Sequence, residues 1–266
     1  MERLELSDER MTSIVIIEYN SLEDVDGFVA SLASSYPSPS QVDDGREPSI
    51  ELIVSSNSMY DEVRQKQLCV QYPTVKWVFN EKNGGFAYGM NEGLKAAQGD
   101  TLVVANADVK LRQSLQPMTS YLWNHKEIGI IGPKIVDDQD IIQDSFRHFF
   151  SPWGFFKRQV GWIKNRGKLH EKNFTTPVSG DWIIGAFMMV RRDFYEKVGG
   201  LSEDYFMYCE DMDWCRRAHL SGYEVVYFPE VVVEYKGTRS SRKRLKYTKI
   251  HIQSLLTFWC KYGFHA

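Results

Sequence analysis

A carboxylate and an amide two residues apart follow an apolar run in the first half of this sequence. The run TLVVA leads directly into Asn106 and Asp108. One interpretation is a turn, because Asn and Asp are common turn residues. The other is a site for Mg²⁺ or Mn²⁺, since such an ion takes few protein ligands when phosphate oxygens supply the rest. The pattern alone does not choose between a turn and a metal site.

A second acidic cluster, Glu210, Asp211 and Asp213, follows the apolar segment YFMYC. The spacing predicts that these acids begin a helix that runs to about Leu220 and stops at Gly222. Carboxylates in a first helical turn commonly cap free N–H groups and offset the helix dipole. Alternatively, the apolar segment raises the pKa of Asp211, and such a carboxylate can accept a proton from an attacking hydroxyl. Asp211 would then act on the nucleophile of a transfer reaction.

Alternating strands and helices must position these two clusters. The β-branched runs TSIVIIEY, IELIVSS, TVKWVFN and TLVVA predict strands, and helical patterns lie between them. This order favours an α/β fold with a mostly parallel sheet flanked by helices. Sheets of this kind bind ligands outside the carboxyl ends of their strands. Asn106 and Asp108 follow such an end, which favours a binding role for them.

Two segments of the second half leave alternatives open. Residues 137–179 are rich in aromatic and basic residues, and we interpret them either as an insertion packed on the main domain or as a flexible lip on which a sugar stacks at Trp153 or Trp162. Seven Lys or Arg residues and no acid lie between Lys236 and Lys249, before an apolar helical pattern. That pattern predicts a C-terminal helix that either docks on the domain or attaches to anionic lipid.

The composition excludes several classes of protein. A formal charge of -3 argues against a protein that binds nucleic acid through bulk charge. The four cysteines form no CxxC pair, so we expect reduced thiols and no zinc site. No run approaches the roughly 20 apolar residues that a spanning helix needs, and the first ten residues lack the apolar segment of a signal peptide. We therefore expect a cytoplasmic protein, which in one interpretation is peripheral on the inner face of the plasma membrane.

Longer segments in a consistent order resemble family 2 glycosyltransferases of the GT-A fold. The resemblance is to the branch that includes rhamnosyltransferases and galactofuranosyltransferases of bacterial surface polysaccharides. It rests on SIVIIEYNS, NGGFAYGMNEGLKAAQGD and NADV, and on the long block from GAFMMVRRDFYEKVGG to CEDMDWCRRAHLSGYEVVYFP. It spans roughly residues 12 to 241. It implies a GT-A domain at 1–235, with a nucleotide-sugar half at 12–110 and an acceptor half at 111–235, before a basic helical tail at 236–266.

The resemblance also implies an activity and a set of site residues. The expected reaction is an inverting transfer from a dTDP- or UDP-linked sugar to a hydroxyl of a glycan or lipid-linked acceptor. Asp108 would bind Mg²⁺ or Mn²⁺ with the diphosphate, Asn106 would support the metal or the ribose, and Asp211 would be the general base beside Glu210. The resemblance implies further donor-binding residues at Glu18, Asn20, Asn57, Asn83, Gly85 and Asn91.

Three positions depart from the family pattern. Glu18 stands where Thr is usual, and Ser56 replaces an Asp that typically contacts the nucleotide base. In one interpretation Glu18 returns the missing carboxylate to the base pocket. Tyr235 aligns with a His that is often a metal ligand, and strand alternation turns the neighbouring Glu234 to the opposite face.

These departures leave a second function open. A family member without catalysis would act as a scaffold in a glycan-assembly complex. The retained acids Asp108, Glu210, Asp211 and Asp213 favour catalysis, because a scaffold has no need of them.

Overall fold

A computed structural model of the protein describes residues 10–36, 49–149, 151–154, 174–235, 237 and 245–263. Trp162 and most of the basic stretch between Lys236 and Lys249 lie outside these ranges.

Strands and helices alternate through the first half, as the sequence predicts. The strands are β1 (Thr12–Glu18), β2 (Ile50–Ser56), β3 (Val75–Phe79), β4 (Thr101–Asn106), β5 (Val109–Leu111), β6 (Ile128–Val136), β7 (Phe146–Arg147), β8 (Val178–Gly180), β9 (Trp182–Ile183), β10 (Phe187–Arg191) and β11 (Glu224–Tyr235). The helices are α1 (Leu22–Ser35), α2 (Glu62–Gln71), α3 (Phe86–Ala96), α4 (Gln116–Asn124), α5 (Arg192–Val198), α6 (Glu210–Leu220) and α7 (Leu245–Tyr262).

One large sheet organises these elements, in the order β3-β2-β1-β4-β10-β6-β11-β5, with β8 also paired to β11. Strands β1 to β4 are mutually parallel, and β6 and β11 run parallel to each other. Strand β10 enters antiparallel between β4 and β6. The sheet is therefore mostly parallel, which confirms the predicted fold class, and β10 is the antiparallel insertion that the sequence pattern did not reveal.

Helices cover both faces of this sheet. Ile14 and Ile16 of β1 pack in one core cluster with Phe28 of α1, whereas Val15 packs on the opposite face with Met90 of α3. All four of these β1 and α1 side chains are fully buried, which explains why β1 is an apolar run rather than an alternating one.

The C-terminal helix α7 belongs to the second of these clusters. Leu255, Phe258 and Trp259 are buried there together with Trp214 of α6. The helix therefore docks on the domain, although the division into a domain and a tail at residue 235 stays a prediction. No helix in the described ranges is both long enough and apolar enough to cross a membrane.

Candidate active site

The carboxyl ends of β1 and β2 are joined by the buried carboxylate of Glu18. Its oxygens accept hydrogen bonds from the hydroxyls of Ser56 (2.5 Å), Ser58 (2.8 Å) and Tyr60 (3.1 Å), and from the backbone N–H of Ser21 (2.9 Å). Glu18 has no exposed surface. In one interpretation of the sequence this carboxylate contributes to the base pocket, but its oxygens already bind four protein donors. It holds the loops together, and a direct contact with a nucleotide base stays a prediction without support from these bonds.

Asn20 lies on the exposed side of the same loops. Its backbone has a left-handed φ of 53°, and its N–H donates to the Ser58 hydroxyl at 2.7 Å. The side chain is exposed and therefore accessible to a ligand. Its donor-binding role stays a prediction.

Three asparagines connect the end of β2 to the glycine turn before α3. The Asn57 side chain donates to the carbonyl of Gly85 at 3.0 Å and to Asn83 at 3.4 Å, and it accepts from Asn80 at 2.9 Å. Asn83 in turn accepts the N–H of Gly85 at 3.1 Å. Asn57, Asn83 and Gly85 are thus brought together, and their donor-binding role stays a prediction. Asn80, which follows β3 and also bonds Ser55, completes the network but was missed.

Gly85 occupies a position that only glycine fits. Its φ is +94°, and a Cβ there would lie 2.1 Å from the carbonyl oxygen of Phe206. That carbonyl accepts the N–H of Phe86 at 2.8 Å, at the first residue of α3. The glycine turn is therefore packed directly against the segment that leads into the second acidic cluster.

Asn91 makes structural contacts that the sequence did not predict. The side chain lies midway along α3, where it donates to the Leu201 carbonyl (2.8 Å) and to Glu203 (2.9 Å) and accepts the Leu201 N–H (2.9 Å). These bonds join α3 to the loop after α5. The described contacts give Asn91 a structural role, and its place in a donor pocket stays a prediction.

Asn106 ends β4, and Asp108 follows in the turn before β5. Both side chains are half-buried, and no cation pairs with Asp108 among the described residues. Burial, and secondarily the charge of Asp24, raise the pKa of Asp108 to about 6. An unneutralised carboxylate at the carboxyl edge of a sheet is suited to a cation.

The chemistry of these residues fits a divalent cation that a diphosphate helps to bind. Asp108 supplies one carboxylate, and Asn106 supplies an amide beside it. The described part of the chain holds no group of three metal-ligating side chains. Mg²⁺ in particular is commonly held by one or two carboxylates together with substrate phosphates. The residues therefore suit an ion shared with a ligand better than a closed protein site.

Tyr235, at the end of β11, lies beside this pair. Its hydroxyl accepts a hydrogen bond from the Asn106 amide at 3.1 Å, and its backbone is paired with Val109. Burial raises the pKa of Tyr235, and the charges of Asp108 and Asp211 raise it further. Glu234 instead pairs with Arg112 at 2.9 Å and Lys110 at 3.6 Å, as the alternation of the strand predicts.

The two residues directly before the antiparallel strand β10 link Asp211 to the end of β4. The backbone N–H of Asn106 donates to the carbonyl of Ala186 at 3.0 Å, and the N–H of Gly185 donates to the Asp211 carboxylate at 2.7 Å. A Cβ at Gly185 would lie 3.1 Å from the Cβ of Asp211, so glycine permits this close approach. The Gly185–Ala186 peptide unit therefore links the Asp211 carboxylate to the backbone of Asn106 through two hydrogen bonds. The charges of Asp108 and Asp211 both raise the pKa of Tyr235.

Burial raises the pKa of Asp211, as expected for the carboxylate behind the apolar segment. Two backbone N–H groups, of Gly185 and Met212, and the charge of Arg147 act in the opposite direction. Arg147 lies on β7, which pairs with β9, and its guanidinium stacks 5.0 Å from the Trp182 ring. Sequence reasoning missed Gly185 and Arg147, and the only signal was their position in the block before the acidic cluster and in the basic-aromatic segment.

Glu210 is the first residue of α6 and is almost fully buried. One oxygen of its carboxylate has no hydrogen-bond partner among the described residues. Burial and the charge of Asp211 raise the pKa of Glu210 well above its usual range. Ionisation of Asp211 therefore makes ionisation of Glu210 less favourable.

A strained backbone and the C-terminal helix position this acidic cluster. Tyr208 and Cys209, directly before Glu210, have left-handed φ angles of 71° and 67°. Asp213 is fully buried, and its carboxylate accepts from Tyr262 of α7 at 2.8 Å, from Lys261 at 2.9 Å and from Arg217 at 2.8 Å. Asp213 thus has a structural role, and α7 is bonded directly to the helix that begins with the cluster.

Family models match most of this architecture. Residues 13–199 match the model described as glycosyl transferase family 2, and residues 166–241 match one described as the N-terminal domain of galactosyltransferase. The chain is 26% identical to the rhamnosyltransferase WbbL of Escherichia coli K12 over 190 residues, which cover 67% of this chain and 70% of that protein. It is 24% identical to the N-acetylglucosaminyl-diphospho-decaprenol L-rhamnosyltransferase of Mycobacterium tuberculosis, over 92% of this chain and 82% of that protein.

Solved structures show the same fold at lower identity. GalNAc-T7 with UDP, GalNAc and Mn²⁺ has a TM-score of 0.60 at 14% identity, over 86% of this chain and 44% of that one. The mannosyltransferase PcManGT from Pyrobaculum calidifontis, in complex with GDP-Man and Mn²⁺, has a TM-score of 0.59 at 14% identity, over 94% of this chain and 64% of that one. The chain thus spans less than two thirds of either structure.

Proposed function

Because this chain belongs to glycosyl transferase family 2, we propose that it transfers a sugar from a nucleoside-diphosphate sugar to a hydroxyl of a glycan or lipid-linked acceptor, with inversion at the anomeric carbon. The donor is dTDP- or UDP-linked, and the product belongs to a bacterial surface polysaccharide. The observation that supports the proposal is the bond from Gly185 to Asp211, because Gly185 precedes Ala186, whose carbonyl binds the backbone of Asn106 at the end of β4, just before Asp108.

In the proposed reaction Asp211 accepts the proton of the acceptor hydroxyl. Its raised pKa makes it a stronger base than an exposed Asp, and the Gly185 N–H fixes the direction of one oxygen. The raised pKa of Glu210 beside it favours the protonated form of that carboxyl, which limits the repulsion between the two acids. Attack on the face of the sugar opposite the leaving group gives the inverted product.

Asp108, with Asn106 beside it, would hold Mg²⁺ or Mn²⁺. Such an ion supplies charge stabilisation to the departing diphosphate. The network of Asn57, Asn80 and Asn83 holds the glycine turn at the same edge of the sheet, and the Glu18 carboxylate fixes the loops after β1 and β2. These residues give the donor a preformed binding surface.

The first donor to test is dTDP-L-rhamnose, because two relatives are named for rhamnosyl transfer to a diphospho-lipid and from dTDP-rhamnose. Purified protein with Mg²⁺ or Mn²⁺, this donor and an N-acetylglucosaminyl-diphospho-lipid should release dTDP and form a disaccharide. Proton NMR of the product reports the anomeric configuration, and retention would contradict the proposed role of Asp211. If dTDP- and UDP-sugars yield no transfer although the nucleotides bind, the scaffold function gains support.

We also propose that the protein attaches to the inner face of the plasma membrane. Ile252 and Leu256 lie one helical turn apart on α7, and each side chain is about half exposed. The basic residues that precede α7 in the sequence would attract anionic lipid, at about 1 kcal/mol each near the surface. The protein should float with phosphatidylglycerol vesicles and not with phosphatidylcholine vesicles. Replacement of Ile252 and Leu256 by Asn should weaken flotation, and unchanged flotation would contradict the contact.

A further inference from the structure

The hydroxyl of Tyr235, in the candidate site, donates its proton to no acceptor among the described residues. As an acceptor it binds the Asn106 amide at 3.1 Å. Among the described residues no oxygen accepts the proton of this hydroxyl, and neither Asp108 nor Asp211 lies within hydrogen-bonding distance of it. A buried hydroxyl normally finds an acceptor, because leaving it unpaired costs free energy.

The surroundings define what that acceptor must be. The side chain is half-buried, and an ordinary phenol titrates near pH 10, so at neutral pH the hydroxyl is a donor and not a base. The backbone of Tyr235 is paired with Val109, which directly follows Asp108, so the ring lies on the side of the site that would bind the leaving group. An anionic oxygen on this side would receive a charge-assisted hydrogen bond.

We propose that Tyr235 donates a hydrogen bond to a diphosphate oxygen of the sugar donor. This inference rests on the proposed function and adds a binding residue to it. Asn106 orients the phenol by donating to its oxygen, which leaves the proton directed away from the amide. Tyr235 therefore recognises the diphosphate as a neutral donor, next to the carboxylate Asp108 that would recognise it through a cation.

A comparison of diphosphates with monophosphates tests this contact without requiring turnover. Isothermal titration calorimetry in Mn²⁺ gives the dissociation constants of UDP, UMP, dTDP and dTMP for the wild type and for Tyr235→Phe. Loss of a hydrogen bond to a charged group should weaken binding of the preferred diphosphate by about tenfold or more. Binding of the corresponding monophosphate should change little, because Tyr235 is proposed to contact the leaving phosphate that the monophosphate lacks.

A matched control is Tyr72→Phe, which removes a hydroxyl that donates to Asp26 at 2.6 Å between α2 and α1. It should leave the affinity for both nucleotides unchanged. If Tyr235→Phe weakens UDP and UMP equally, or weakens neither, the proposed contact is wrong. A wild-type protein that binds none of the four nucleotides would overturn the proposed function itself, and this inference with it. Sugar transfer by the wild type, together with unchanged affinity of Tyr235→Phe for UDP and dTDP, would overturn this inference alone.

Discussion

Replacement of Asp108 by Asn should make the metal-free protein more stable while it abolishes sugar transfer. The carboxylate is partly buried without a cation, and its pKa is raised from 3.8 to about 6. A raised pKa means that the folded protein binds the proton more tightly than the unfolded chain does. The contribution of this carboxyl to stability is therefore fully present below about pH 3.8, and it is lost as the pH rises through the window between 3.8 and about 6.

The size of this effect follows from the same values. One pKa unit corresponds to about 1.4 kcal/mol, so the ionised carboxylate lowers the free energy of unfolding by about 3 kcal/mol at pH 7.5. At pH 5 the cost is about half as large, because the folded protein is then mostly protonated at this position. Asparagine has no charge to desolvate. At pH 7.5 the variant should melt about 6 to 12 °C above the wild type, at about 2 to 4 °C for each kcal/mol.

The assay is thermal unfolding in EDTA at pH 7.5 and pH 5, together with sugar transfer in Mn²⁺. The gain in melting temperature should shrink by about half at pH 5. A control with the opposite sign is Asp204→Asn, because Lys261 holds the pKa of that carboxyl below its usual value and its removal should destabilise the protein. If Asp108→Asn melts at or below the wild-type temperature at pH 7.5, the assignment of Asp108 as an unneutralised acid is wrong.

Three further substitutions test the acidic cluster. Asp211→Asn should lower kcat by about 10²- to 10⁴-fold with unchanged nucleotide affinity, and near-normal transfer in a single-turnover assay would remove Asp211 as the base. Gly185→Ala places a methyl group 3.1 Å from the Cβ of Asp211, so kcat should fall while the Kd of the nucleotide, measured by calorimetry, stays constant. Tyr262→Phe removes the bond to Asp213 and should cost about 1.5 to 3 kcal/mol in urea unfolding, whereas Thr257→Ser on the same helix should cost little.

The sequence predicted the local features of this protein well. The four parallel strands of the first half are continuous β-branched runs, so their pattern shows burial on both faces. The helix that begins with Glu210 ends at Leu220, and Gly222 follows it with a φ of +82°, as its position in the sequence predicts. Such features are visible because a few neighbouring residues determine them.

Features that depend on distant residues were not visible. The insertion of β10 between β4 and β6 cannot be read from a strand pattern, because the pattern does not say which strands are neighbours. The saturation of Glu18 by hydroxyls from the loop after β2 required the structure, since those donors lie about 40 positions away. The resemblance implies a donor-binding role for Asn91, which stays a prediction, and the bond of Asn91 to Leu201, 110 positions later in the chain, was not visible in the sequence.

The contrast among the acids explains how the candidate site is built. Asp213 and Glu18 are buried and are surrounded by donors or cations, which is how buried carboxylates ordinarily stabilise a fold. Asp108, Glu210 and Asp211 are also buried in whole or in part, yet each has a raised pKa because protein partners do not fully compensate its charge. Asp108 follows β4, and Glu210 and Asp211 begin α6. The residues directly before β10 link these two segments. A cation and a donor sugar would supply the missing partners of these acids, which is why we propose a ligand site at this place.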